Sequence, residues 1–175
     1  MAHHLMKNVL NCLASVSVLL TAFANAAPPQ SRTITREGMS IDIPANWTSE
    51  VVKDPYVFKV AHPKENLFLF VVREPRKEIE VANLEEYFEA KFESMSEGWK
   101  EKRFGQRKSF NLHGRKAILM DGSATVKEPK NLPTKFYFMT VEGADYYYFA
   151  YLLNAAAGGQ GMPESRTMLE SLKVP

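Results

Sequence analysis

Apolar and polar residues alternate over Met39–Pro44, MSIDIP, with Met39, Ile41 and Ile43 on one side and Ser40 and Asp42 on the other. A period of two marks a half-buried strand, and Pro44, lacking an N–H for a ladder, ends it. Ala45-Asn46 then turns, and Trp47 returns as a cap over one end of the core. Residues 55–61, PYVFKVA, predict a second strand with Tyr56, Phe58 and Val60 opposite Lys59, closed by a turn over 62–66. The run 67–72, LFLFVV, is apolar on both faces, which is the pattern of a strand in the middle of a sheet covered on each side. It favours a layered α/β domain over a solvent-facing barrel.

At Asn83 the period changes. Asn83 is placed to cap a helix, with Glu86 three residues on. Leu84, Phe88, Phe92 and Met95 follow at three- and four-residue spacing, and Gly98 ends the segment. A basic stretch containing Phe104, Phe110 and Leu112 turns at His113-Gly114. Residues 116–126, KAILMDGSATV, predict a strand in which Asp121-Gly122 is either a bulge or a hairpin turn. After a connector over 128–133, the segments 135–141, KFYFMTV, and 145–153, DYYYFAYLL, read as an antiparallel hairpin. The glycine-rich stretch AAAGGQG of 155–161 leads to a last helix starting at Pro163, with Ser165, Met168, Leu169 and Leu172 on its buried side.

The N-terminal residues set the compartment. Residues 1–26 have the parts of a secretory signal: Lys7, an apolar run from Val9 to Phe23, and Ala24 and Ala26 before a cut at Ala27. The run is too short and too interrupted for a lasting membrane anchor. His3 and His4 precede Met6, an alternative start, and are not counted as metal ligands. Residues 27–36, APPQSRTITR, read as an extended N-terminal segment, because Pro28 and Pro29 oppose regular pairing. Residues 37–175 then form one domain, with no internal repeat. Cys12, the one cysteine, leaves with the signal, so stability in an oxidising compartment rests on packing.

Charge changes the picture locally. One of the 22 Lys and Arg and none of the 20 Asp and Glu lie in the signal, leaving a net charge of about +1, which argues against a strongly basic nucleic-acid binder. Lys100, Lys102, Arg103, Arg107, Lys108, Arg115 and Lys116 nevertheless crowd one stretch against Glu101 alone, while 84–97 holds Glu85, Glu86, Glu89, Glu93 and Glu97 against Lys91. The split reads either as two solvated faces or as a field that steers an acidic partner or an anionic lipid surface.

Candidate chemistry is sparse. His62 and His113 stand far apart in turns without a metal-ligand spacing. Ser123, in Asp121-Gly122-Ser123-Ala124-Thr125, lacks the elbow of a hydrolase nucleophile, and a hydrolase would need it or another hydroxyl beside His62 or His113, with Asp121 or Asp145 as third member. No catalytic residue, metal ligand or cofactor site is assigned. The aromatic strands are the unusual feature. Phe136, Phe138, Tyr146 and Tyr148 are grouped on one side and Tyr137, Tyr147, Phe149 and Tyr151 on the other. They serve either as cross-strand packing or as a tyrosine-rich groove, with Tyr146 and Tyr148 as candidate partner contacts beside the seven bases.

Met39-Ser-Ile-Asp-Ile-Pro-Ala-Asn-Trp47, together with Asn66-Leu-Phe-Leu-Phe-Val-Val72, Asn83-Leu-Glu-Glu-Tyr87 and Met168-Leu-Glu-Ser-Leu172, resembles the PsbP-like superfamily, in particular its bacterial DcrB-like exported proteins. The resemblance implies a three-layer α/β/α sandwich around a mainly antiparallel sheet. It implies an accessory role: relatives support photosystem assembly, bind a small nuclear GTPase, act in the bacterial envelope or chaperone secreted toxins. It carries over no catalytic set and no cofactor, and the lipidated cysteine of some envelope relatives is missing. The expectation is a non-enzymatic periplasmic or secreted protein docking another envelope or secreted protein. A carrier of a lipid or small hydrophobic ligand and an unrecognised hydrolase are the alternatives.

Overall fold

Met39–Pro44 is a strand, β2, whose Met39, Ile41 and Ile43 are buried. The structure is a computed structural model describing residues 30–64, 66–126, 131–155 and 162–175. The secretory signal 1–26, part of the connector after 126 and most of the AAAGGQG stretch lie outside the described residues. Ser31–Arg36 does not run as the unpaired segment expected from Pro28 and Pro29: it forms β1, in antiparallel register with β2 from Ser31↔Pro44 to Arg36↔Met39. The two prolines precede the strand and leave its donors intact. Gly38, at φ +78°, makes the turn between them.

The remaining strands form one sheet. They are β3 (Thr48–Glu50), β4 (Tyr56–Ala61), β5 (Leu67–Pro75), β6 (Lys100–Phe104), β7 (Lys108–Leu112), β8 (Arg115–Val126), β9 (Leu132–Glu142) and β10 (Tyr146–Ala155). Their spatial order is β3-β4-β5-β10-β9-β8-β6, with β7 pairing the other half of the same edge of β8, and every pairing is antiparallel. The doubly apolar run thus lies between β4 and β10, inside the sheet. In β4 a register shift between Tyr56 and Phe58 breaks the expected alternation, so Val57 and Phe58 are both buried while Tyr56 is exposed.

Helix α1 (Leu84–Ser96) covers one face. The Asn83 side-chain oxygen Oδ1 accepts from the Glu86 backbone N–H at 3.0 Å, and the Glu86 carboxylate accepts from Ala82 N–H at 2.8 Å, so the cap works in both directions. Tyr87, Phe88 and Phe92 of α1 meet Phe136, Phe138, Tyr147 and Phe149 of the sheet. On the opposite face α2 (Met162–Glu170) and the β1–β2 hairpin enclose Met139, Val141, Tyr148, Ala150 and Leu152. The Ser171 hydroxyl and the Ser40–Lys173 backbone pair tie the end of α2 to β2. The architecture is the expected three-layer sandwich, with the hairpin sharing the second outer layer.

Two local expectations change. Asp121-Gly122 is neither hairpin turn nor a bulge against β9, since β8 and β9 stay in register from Ala117↔Val141 to Val126↔Leu132. The outer neighbour of β8 changes there, from β7 to β6, with Gly105 N–H bonded to the Asp121 carbonyl at 2.7 Å. The aromatic grouping is also corrected. Tyr148 pairs with Val141, and Phe149 with Thr140, so Phe136 and Phe138 share the α1 face with Tyr147, Phe149 and Tyr151, while Tyr137 lies on the Tyr146–Tyr148 face. A shift of one residue in register exchanges every side chain between faces.

Candidate functional site

The seven clustered bases do not form one patch. Residues 100–112 run along the edge of β8 from opposite Thr125 to opposite Arg115, roughly 30 Å, and alternate side chains leave opposite faces. Lys102 stands beside Glu93 and Glu97 near the end of α1. Arg103 points to the other face, near Asp121, Ser123 and Lys135. Arg107 is already engaged: its guanidinium pairs with Glu89 of α1 and lies 4.8 Å from the ring centre of Phe88. Lys108 lines a cleft with Arg166 and Glu170 of α2. Arg115 and Lys116 sit beyond the His113-Gly114 turn, where both residues take positive φ, at the far end of β7 and β8 from Lys100. Lys100, Lys102 and Arg103 remain as a local group on β6.

β6 is the most open strand on this side: all five residues of Lys100–Phe104 are exposed, and Phe104 keeps 49% of its surface accessible. Its ring nonetheless rests edge-on against Phe92 at 5.0 Å, so the strand is anchored to the core from beneath. Between Lys100 and Arg103 the register shifts, and Glu101 takes φ 51°, its carboxylate held by the Thr125 hydroxyl at 2.6 Å. Such a bulge bends the edge away from simple strand addition and leaves its side chains as the contact surface.

The tyrosines divide as well. Tyr148 is 2% exposed and belongs to the core, so it offers a partner no surface. Burial pushes its hydroxyl pKa up. Tyr146 is half-buried, with the Arg73 guanidinium 5.1 Å from its ring centre, and Arg73 is in turn paired with Glu37 and Asp54. The space behind β9 and β10, where a carrier would need its cavity, is filled by rings: Phe138 lies 4.2 Å from Phe149 and 4.8 Å from Phe88, and Tyr87 stacks on Tyr147 at 4.5 Å.

The hydrolase arrangement drawn around Ser123 is not assembled. Ser123 lies ten residues along β8 from His113, roughly 30 Å in an extended strand. His113 Nε2 contacts the Glu170 carbonyl at 3.1 Å. The ring of His62 meets Trp47 edge-on at 5.4 Å, and its Nδ1 accepts from Lys64 N–H. Asp145 stands in the β9–β10 turn, its carbonyl accepting from Arg76 N–H at 2.9 Å. Among the described residues no three His, Cys, Asp or Glu side chains converge as metal ligands, and no helix is long and apolar enough to cross a membrane.

Sequence reasoning missed Lys135. It lies well beyond Lys116, the end of the basic stretch, yet β9 carries it opposite Ser123, which is itself opposite Arg103. The sign that locates it is the β8–β9 register, which a single sequence does not display.

No family model matches the sequence, and no curated protein matches it. Solved structures do. Cyanobacterial PsbP from Synechocystis sp. PCC 6803 superposes with a TM-score of 0.58 at 11% identity, covering 89% of this chain and 99% of that one. The Ran-binding protein Mog1p of Saccharomyces cerevisiae gives 0.60 at 10% identity, covering 84% and 96%. A Pseudomonas aeruginosa protein of unknown function, PA94, gives 0.51 at 14% identity, covering 83% and 96%. An antiparallel sheet between helical layers, matched over nearly the whole length of these proteins, gives the chain the PsbP-like fold.

Proposed function

We propose that the chain is a non-enzymatic exported accessory protein that docks another envelope or secreted protein through the edge formed by Lys100–Phe104. The observation that carries this reading is the exposure of all five β6 side chains, three of them basic, with Phe104 half-exposed among them. An exposed aromatic residue beside polar and charged ones is the composition of a protein-binding surface. The secretory signal read at 1–26 supports export, and the DcrB-like resemblance supports the envelope as destination. The fold also serves a protein named for binding Ran, which supports docking as a use of this architecture. Lysines and a bulge additionally protect an edge from pairing with copies of itself, and side-chain docking is compatible with that protection.

The test is affinity capture from an envelope fraction with the exported chain, comparing it with a variant carrying Lys100→Gln, Lys102→Gln and Phe104→Ser. A partner captured by the parent and lost with the variant is the expected result. If every captured protein is indifferent to these changes, docking through β6 is wrong. Cell fractionation that leaves the chain in the cytoplasm would remove the export part of the proposal.

A further inference from the structure

Arg103, Ser123 and Lys135 are direct lateral neighbours on β6, β8 and β9. Strands lie about 5 Å apart, so the two cations straddle the serine with backbones about 10 Å apart. The three residues line both of two adjoining open clefts, of about 440 and 430 Å³. Among the described residues neither Arg103 nor Lys135 has an acid within ion-pair distance, which they share with Lys100, Lys102 and Lys116 but not with Arg107, held by Glu89. Acids bracket the row. Asp121, opposite Tyr137, lies one side-chain repeat above Ser123, and Thr125, which holds Glu101, lies one repeat below, each about 7 Å away along the strand.

We propose that Arg103, Ser123 and Lys135 form a seat for one carboxylate side chain of a partner protein, within a segment whose adjacent residues are neutral or basic. The inference rests on the docking reading above and names the chemistry of its partner. A guanidinium and an ammonium placed on either side of a hydroxyl supply charge-assisted hydrogen bonds to one oxyanion. The flanking Asp121 and Glu101 repel a second acid on either side, so selectivity comes from repulsion as well as attraction. A run of acids fits the row worse than a single one.

The experiment is an amide NMR titration of the chain purified after export. The probe is a blocked pentapeptide Lys-Gly-Glu-Gly-Lys, with its glutamine counterpart, hexaglutamate and inorganic phosphate as controls. The glutamate peptide should move the amides of Arg103, Ser123 and Lys135 saturably at millimolar concentration, and the glutamine peptide should not. Arg103→Gln and Lys135→Gln should each weaken binding about three- to fivefold, as exposed ion pairs do, and together abolish saturation. Lys116→Gln, which removes the same charge at the hairpin tip, should change nothing. All three positions are exposed, and an unchanged amide spectrum elsewhere verifies that each variant folds. Absent shifts, shifts centred on Arg115 and Lys116, an equal response to glutamine, or tighter binding of hexaglutamate or phosphate would each overturn the seat. If the titration fails while capture still depends on β6, docking stands without the seat; if capture fails while the titration succeeds, the seat remains but its assignment to the proposed docking partner falls.

Discussion

The ring of Phe136 lies against the bare Cα of Gly122: a methyl group on Gly122 would stand 2.4 Å from Phe136 Cζ and 2.6 Å from the Arg103 carbonyl oxygen. Gly122 sits between Phe104 and Phe136 in one lateral row, and the missing side chain lets those two rings approach to 6.3 Å. Gly122→Ala should therefore destabilise the protein by about 1–3 kcal/mol, the usual cost of overpacking. Part of that cost comes from the ring, so in a Phe136→Leu background the same change should cost less. A double-mutant cycle by urea unfolding checks this, and additive costs would show that the Arg103 backbone alone sets the penalty.

The Gly122 row also marks where sequence reasoning stops. Periodicity locates β2, the inner strand β5, α1 and the β9–β10 hairpin, because each has a clear apolar repeat and recognisable punctuation at Pro44, Asn83, Gly98 and Gly143. It does not reveal that even-numbered Phe136 and Phe138 share a face with odd-numbered Tyr147 and Phe149, since that depends on the hairpin register. β6 was hidden for another reason. Every one of its side chains is exposed and Glu101 interrupts its extended conformation, so no alternation survives. The basic stretch was legible as composition; its distribution over two faces, and the arrival of Lys135 beside Arg103, follow from strand pairing alone.

The cap of α1 allows a graded test. Asn83 supplies a side-chain acceptor to Glu86 N–H, and its own backbone is extended, at φ −159°. Asn83→Ala should cost about 1 kcal/mol and Asn83→Gly only a few tenths, because glycine leaves the exposed N–H groups open to water. Thermal or urea unfolding reads both. Negligible losses in both variants would mean that the Glu86–Ala82 bond, rather than the asparagine, holds the first turn.

Stability should fall in alkali. Burial, followed by the neighbouring Glu74, raises the Tyr87 hydroxyl far above its ordinary value. The Tyr87 O–H donates to Glu74 at 2.8 Å, and the same carboxylate accepts from Lys91 at 2.6 Å. A raised folded-state pKa means that the unfolded chain loses this proton first. The stabilisation is complete below the unfolded value of about 10 and is lost progressively above it, at up to about 1.4 kcal/mol per pH unit for each such group. Tyr148 and Tyr151, raised chiefly by burial, add to the same slope. Urea midpoints measured from pH 8 to 11 should be flat to about 10 and then drop, and Tyr87→Phe should flatten the drop while lowering stability at pH 8. An unchanged alkaline slope in Tyr87→Phe would assign the loss to other groups.

Trp47 closes the stretch that begins at Met39, and its interactions predict an uneven response to substitution. The indole is 2% exposed and meets His62 edge-on, and the Trp47 carbonyl accepts from Arg32 at 3.1 Å. Its Nε1–H is buried without a hydrogen-bond partner, a group that costs about 1–3 kcal/mol to leave unsatisfied. Trp47→Ala removes the whole ring system and should cost about 3–5 kcal/mol. Trp47→Phe loses volume but also removes the unpartnered donor, so its cost should be less than half as large. Urea unfolding followed through Trp99 fluorescence measures both variants. If phenylalanine proves as damaging as alanine, shape complementarity at this end of the core outweighs relief of the buried N–H.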